Sequence, residues 1–260
     1  MNQPLSITSR DNPTLKLIKK LVQDNTAYRK EGKLWIEGEH LCSAALARGV
    51  QPLMAVYAES FWPYAPVDFA KVSGKNILVP DALLRDISGL DSPAPCGFVI
   101  PLPEATALDI QLPSVVLDGV QDAGNVGSIL RSASAFGFKQ VIALKGTAAL
   151  WGAKVVRSGM GAHFALRLIE GTSVDDIQTL QTPLAVTSSH RGDWLQDLAV
   201  QSGCLNAVSW VMGHEGQGVS PALEALAQWH VRIPQPGGEE SLNVAAAAAI
   251  CLYASAVSPR

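Results

Sequence analysis

The chain has 260 residues, 48% of them hydrophobic and 17% charged, with a formal net charge of −3. That length and composition allow a substantial core, in one large domain or two of ordinary size, and exclude a disordered or fibrous protein. No apolar run reaches the ~18 residues of a membrane span, and the mild net charge does not suggest a nucleic-acid binder.

The average conceals an asymmetry. Residues 1–33 hold seven basic residues (Arg10, Lys16, Lys19, Lys20, Arg29, Lys30, Lys33) against Asp11, Asp24 and Glu31, whereas residues 101–260 hold nine basic and thirteen acidic ones. A polyanion would be gripped mainly from the N-terminal end. The first residues lack the charged and apolar regions of a signal peptide. Cys42, Cys96, Cys204 and Cys251 are scattered, without metal-ligand spacing or a disulfide framework. The expectation is a soluble cytoplasmic protein with no metal and no membrane contact.

Asn12-Pro13 is a helix start, asparagine capping and proline at the first helical position. Leu15, Ile18, Leu21 and Val22 form its apolar stripe, and Lys16, Lys19 and Lys20 lie on the other side. Such a basic face is more often simply solvated; an RNA-facing role needs support from later motifs. Strands are expected at residues 34–36, 53–58, 77–79 and 96–100, with helices at 39–48 and 81–87. They make a small α/β domain over residues 1–100, and it contains no chemical motif. Pro101, Pro103 and Pro113 mark a linker over 101–113.

The second domain, 114–260, alternates elements. Strands are predicted at 115–119, 140–144, 163–169, 184–187, 207–212 and 229–233. Helices are predicted at 126–136, near 152–160, near 193–200, at 221–228 and from about 243 to 256. This pattern argues for a mostly parallel sheet covered on both faces, with ligands at the carboxyl ends of the strands. Three glycine-rich loops follow strands there: residues 118–127, 213–218 and 234–240. In the first, Asn125 sits where a helix cap belongs, beside Gly124 and Gly127, and Arg131 follows among small and apolar neighbours. In the second, His214 and Glu215 stand among Gly213, Gly216 and Gly218; alone, this reads equally well as a tight turn. The third runs through Gly237 and Gly238 to Ser241, Leu242 and Asn243, where Ser241 is expected to cap an alanine-rich helix.

In order and internal spacing the three loops resemble the SpoU (TrmH-like) branch of the SPOUT RNA 2′-O-ribose methyltransferases. The first motif looks like Asn125-Val126-Gly127-Ser128-Ile129 with Arg131. The second resembles Gly213-x-Glu215-Gly216-x-Gly218, and the third Ile233-Pro234 followed by Gly237 and 241–244. Residues 5–60, including 8–13 and Ile36-Glu37-Gly38, resemble the ribosomal-protein-like substrate-binding domain of rRNA-modifying members.

The resemblance implies an α/β catalytic domain threaded into a deep trefoil knot, S-adenosyl-L-methionine (AdoMet) as cofactor, and a homodimer. It places Arg131, Asn125, Glu215, Ser241 and Asn243 on catalytic positions, and Gly213, Gly216, Ile233, Gln235, Ser241 and Leu242 around the cofactor. RNA would be met by Arg10, Lys16, Lys19, Lys20, Lys154 and Arg157, the last two on the catalytic domain. The family assigns Arg131 to activate the hydroxyl. A guanidinium is effectively always protonated, so stabilising the adjacent phosphate and developing 2′-oxygen charge suits it better. Three positions depart from the family pattern. Ala123 stands for proline, leaving the first loop less rigid; His214 stands for asparagine, and Gln235 for an apolar residue.

The N-terminal domain favours rRNA as substrate, since tRNA enzymes of this branch often carry short extensions instead. The alternatives are a tRNA 2′-O-methyltransferase, or an inactive RNA-binding or ribosome-assembly protein of the same fold. A Rossmann oxidoreductase would need a G-x-G-x-x-G that Gly119, Gly124 and Gly127 do not supply. A serine hydrolase would need a nucleophile elbow.

Overall fold

The computed structural model describes residues 3–88, 92–188, 191–201, 205–237 and 241–259. Gly238, Glu239 and Glu240 of the third loop, and Cys204, lie outside the described residues. The chain divides into two compact units, residues 1–104 with 151–164, and residues 105–150 with 165–260.

The first unit is built on a five-stranded sheet of β1 (Leu5–Ser6), β2 (Lys33–Glu37), β3 (Met54–Ala58), β4 (Asn76–Val79) and β5 (Cys96–Pro101), in the order β1-β4-β3-β5-β2. β1, β4 and β3 pair in parallel, and β5 runs antiparallel to both β3 and β2. Helix α1 (Pro13–Gln23) starts as expected: the Asn12 side chain accepts from the Thr14 N–H at 2.9 Å, and Leu15, Ile18 and Leu21 are buried. Helices α2 (Ala27–Glu31), α3 (Glu39–Ala47), α4 (Val67–Val72) and α5 (Asp81–Ile87) connect the strands.

The second unit holds seven strands, all paired in parallel: β6 (Ser114–Asp118), β7 (Gln140–Leu144), β8 (Arg167–Thr172), β9 (Leu184–Thr187), β10 (Asp193–Trp194), β11 (Ser209–Gly213) and β12 (Trp229–Arg232). Their order is β10-β12-β9-β11-β6-β7-β8. From β6 the chain moves outward to β7 and β8, then returns to the other side of β6. The carboxyl ends of β6 and β11 therefore flank a topological switch point, where open α/β sheets bind ligands. Helix α6 (Ala123–Ala135) follows β6, and α8 (Val174–Gln178), α9 (Leu195–Ala199) and α10 (Pro221–Leu226) connect later strands. The last helix, α11 (Val244–Val257), packs on α6, α9 and β11. Small residues let it approach closely: Ala248, Cys251, Ala254 and Ser255 are buried, and Ser255 accepts from the buried Trp210 indole at 2.8 Å.

Three expectations need correction. The helix expected near 152–160 is α7 (Ala153–Ser158), and it belongs to the first unit, where it packs on β2 and α1. Its buried Val155 and Val156 announce a packed face without indicating which sheet they meet. The segment near 193–200 begins as the two-residue strand β10, and the strand expected at 163–169 is shifted to β8 at 167–172.

Candidate active site

Parallel pairing sets the ends of β6, β11 and β12 at one edge of the sheet, and the three glycine-bearing loops leave from there. The first is turned by Gly119 at φ +72°, a conformation that suits glycine. Its helix begins one turn earlier than expected: Asp122, not Asn125, is the cap, its carboxylate accepting from the Asn125 N–H at 2.8 Å. Asn125 thus lies within the first turn, with its side-chain amide released for other work.

That work is to join the loops. The Glu215 carboxylate of the second loop accepts from the Gln121 N–H at 3.2 Å, the Asp122 N–H at 3.1 Å and the Asn125 side-chain amide at 3.1 Å. Asn125 in turn accepts, through Oδ1, from the side-chain amide of Asn243 in the third loop at 3.0 Å. Asn243 closes the chain by capping α11, its Oδ1 accepting from the Ala245 and Ala246 N–H groups at 2.9 and 3.3 Å. The cap expected of Ser241 is therefore supplied by Asn243, and Ser241 is exposed. Desolvation pushes the Glu215 carboxyl upward. The hydrogen bonds from the Asn125 amide and from backbone N–H groups of Glu215, Asp122 and Gln121 outweigh it, and bring the pKa down to about 2.

The second loop is held by its own atoms. His214 and Gly218 exchange backbone hydrogen bonds of 2.9 Å. The His214 Nδ1 accepts from the Gly216 and Gln217 N–H groups at 2.9 and 3.2 Å, so that nitrogen carries no proton. Asparagine side chains commonly make this local bond, and histidine does the same here, as the loop-histidine reading anticipates. Gly213 is obligatory, because a Cβ there would lie 2.2 Å from the carbonyl carbon of Gly218.

Ala123 occupies the first helical position, where proline would be tolerated. The first loop nevertheless does not need proline to be fixed. Besides Glu215, it is held by Thr147, whose hydroxyl accepts from the Gly119 N–H at 3.1 Å and donates to the Leu117 carbonyl at 2.9 Å. The Ala148 N–H adds a bond to the Val120 carbonyl at 2.9 Å. Asp118 ties the first loop to the segment after the second, accepting from the Ser220 N–H at 2.7 Å. Neither Thr147 nor Asp118 was among the expected site residues. Asp118 opens the first glycine-rich loop but falls outside the motif, and a lone threonine after β7 carries no sequence signal.

Two groups fit a cofactor at these loops. Gln235 buries its side-chain oxygen without a partner among the described residues, an acceptor facing no donor. Leu242, later in the same loop, is 38% exposed. An unsatisfied acceptor with open apolar surface suits a nucleoside bearing an amino group, such as adenosine.

Arg131 is not gathered into this cluster. It is exposed rather than set among apolar neighbours, shares its face with exposed Ser128, and its side chain has no hydrogen bond or ion pair among the described residues. Six residues along a helix also displace it about 9 Å from Asn125 along the axis. Of the basic residues expected at RNA, Arg10 pairs with Asp86 at 2.7 Å, Lys16 with Asp11 at 2.8 Å and Lys20 with Glu31 at 2.7 Å, all on the first unit's surface. Lys154 and Arg157 lie on α7, in that unit too. Among the described residues no cluster of His, Cys, Asp or Glu could hold a metal ion, and no helix is long and apolar enough to cross a membrane.

A parallel α/β sheet whose site is three interlocked loops at a switch point defines a narrow class of proteins. The model of the SpoU rRNA Methylase family matches residues 113–253, and the chain belongs to that family. It is 31% identical over 254 residues to the 23S rRNA (guanosine(2553)-2′-O)-methyltransferase RlmP of Bacillus subtilis (strain 168), covering 95% of this chain and 97% of that protein. Among solved structures it is similar to an AdoMet-bound rRNA methyltransferase from Sinorhizobium meliloti, with TM-score 0.81, 26% identity and 96% of each chain covered. It is also similar to the SpoU methyltransferase AviRb from Streptomyces viridochromogenes in complex with AdoMet, with TM-score 0.78, 25% identity, and 94% and 98% covered.

Proposed function

We propose that the protein is a cytoplasmic, AdoMet-dependent methyltransferase that modifies a ribose 2′-hydroxyl in rRNA. The observation that carries this is the continuous chain Glu215–Asn125–Asn243, which locks all three family motifs into one site. Bound AdoMet supplies a methyl group on a sulfonium, open to in-line attack by the 2′-oxygen. Gln235 and the loop around Ile233, Ser241 and Leu242 would hold it, with Gly213 and Gly216 shaping the facing loop. Glu215 keeps the first loop in register, and Asn125 stands at the cofactor-facing end of α6. Arg131 meets the phosphate beside the target ribose and stabilises negative charge as it develops on the 2′-oxygen.

The C-terminal segment is read as the deep trefoil knot of the family. Its path supports this, because the chain leaves β12 and turns back to pack α11 on α6 and β11. The working form is read as a homodimer. Ile250, Tyr253 and Val257 form an exposed apolar stripe along α11, with Tyr253 55% accessible and its ring 5.7 Å from that of Phe136 on α6. A second copy on this face would cover the stripe and bring Arg131 of one subunit towards the loops of the other. The first unit, with its basic α1, would bind the RNA.

The test is transfer of labelled methyl groups from AdoMet to total rRNA and to tRNA, followed by mapping of the modified ribose. Incorporation at one rRNA ribose is expected, with none in Arg131→Ala, although that variant still binds AdoMet. Labelling of tRNA alone would move the substrate class. Labelling of neither would leave an RNA-binding protein without this activity.

A further inference from the structure

One cleft of the second unit lies outside the three loops. It opens at the edge of the sheet, where β10 pairs with β12, and encloses about 280 Å3 among Trp194, Trp229, Asp193, Asp197 and Arg232. Its wall is rigidly made. The Arg232 guanidinium carbon lies 4.0 Å from the centre of the Trp194 ring, and its Nε donates to the Gly192 carbonyl at 2.9 Å. Gly192 has φ +106°, and a Cβ on it would meet the His230 carbonyl oxygen at 2.0 Å, so only glycine lets the chain enter β10 here. Arg232 is thereby fixed through one nitrogen, and its two terminal nitrogens have no partner among the described residues. Asp193 and Asp197 are exposed, and neither pairs with it among those residues.

The cleft thus combines a guanidinium laid over one face of the Trp194 indole with its terminal donors unused, a second indole, that of Trp229, in the lining, and unused carboxylate acceptors. Carboxylates on a surface that meets a polyanion weaken binding unless the ligand brings donors to them. A planar ligand with acceptors on one edge and two donors on another answers all three features. Among nucleobases only guanine does so, with O6 and N7 for the guanidinium and its N1–H and N2 amino group for a carboxylate. The volume is at the small end for ligand sites, which suits one unstacked base rather than a duplex.

We propose that this cleft binds an unstacked guanine base of the RNA substrate. The proposal rests on the reading of the protein as an RNA methyltransferase. Arg232 immediately precedes Ile233 of the third loop, so the base held here belongs to the same RNA segment as the target ribose and contributes to its selection.

The intact protein, with its cofactor loops saturated by S-adenosylhomocysteine, is titrated with GMP, AMP, CMP and UMP, and binding is read by saturation-transfer NMR. GMP is expected to bind about tenfold more tightly than AMP. Trp194→Ala should weaken GMP about tenfold, Trp194→Phe should restore most of it, and the Asp193→Asn, Asp197→Asn double variant should abolish the preference for GMP. Unchanged affinity of Trp194→Ala for S-adenosylhomocysteine distinguishes loss of the cleft from loss of the fold. In methyl transfer to rRNA, the same variant should raise KM about tenfold at nearly constant kcat. No detectable GMP binding, equal affinity for GMP and AMP, or an unchanged KM would each overturn the proposal. Failure of the wild type to methylate any RNA would instead defeat the methyltransferase reading, because the mononucleotide titration needs no turnover.

Discussion

Glu215 accepts two backbone N–H groups and a side-chain amide that would otherwise compete for water at the mouth of the site. Its carboxyl, brought to about 2 in the folded protein, is depressed from the ordinary value of 4.5. The resulting stability is fully present above pH 4.5 and is lost as the pH falls towards 2. The group is largely open to solvent, so screening leaves about 1 kcal/mol. Glu215→Gln should therefore unfold more easily by about this amount at pH 7, and the gap should close as the pH approaches 2. Urea unfolding of both proteins across this range tests the assignment; a gap independent of pH would refute it. These residues were legible because the resemblance of the three motifs to the family pattern places Glu215, Asn125 and Asn243 on its functional positions. Their division of labour was not, since Asp122 and Asn125 are both good caps, and so are Ser241 and Asn243. Which one caps is decided by where Glu215 and α11 sit in space, which spacing does not record.

Between elements, the loop after β7 acts as a template for the loop after β6. Thr147 serves the Gly119 N–H and the Leu117 carbonyl with one hydroxyl, some thirty positions away in sequence. Valine has nearly the same shape but neither donates nor accepts, so Thr147→Val leaves both partners unserved at a cost of about 1–2 kcal/mol. The first loop should loosen, and kcat should fall about tenfold while cofactor affinity changes little. Thr147→Ser, which keeps the hydroxyl, should recover most of the rate; if serine were no better than valine, the methyl group rather than the hydroxyl would matter. Elements with strong internal periodicity were read correctly, as with α1 and the buried strands β6, β7 and β9. The two shortest strands were not. β1 and β10 have two residues each and exist only through pairing with β4 and β12. The placement of α7 depended on β2 and α1, over a hundred residues earlier in the chain, which local pattern cannot reveal.

For the whole molecule, the proposed RNA grip and the proposed dimer make separate demands. The ion pairs of Lys16 with Asp11 and Lys20 with Glu31 lie at the surface, where such pairs contribute little, so phosphates can replace the carboxylates. Replacing Lys16, Lys19 and Lys20 together by alanine should leave stability nearly unchanged and reduce the slope of log affinity against log salt by about two. An unaltered slope would make α1 merely a solvated face. The dimer is tested through Arg131, which is exposed and partnerless among the described residues of its own subunit. Arg131→Ala and Asn125→Ala should each be inactive alone. If Arg131 acts across the interface, a mixed dimer joins the intact loops of one variant to the intact arginine of the other and regains one working site of two. Equal amounts, co-expressed and randomly assorted, should then show about a quarter of wild-type activity. If Arg131 serves its own subunit, every site in every mixed dimer contains a defect, and mixing restores nothing.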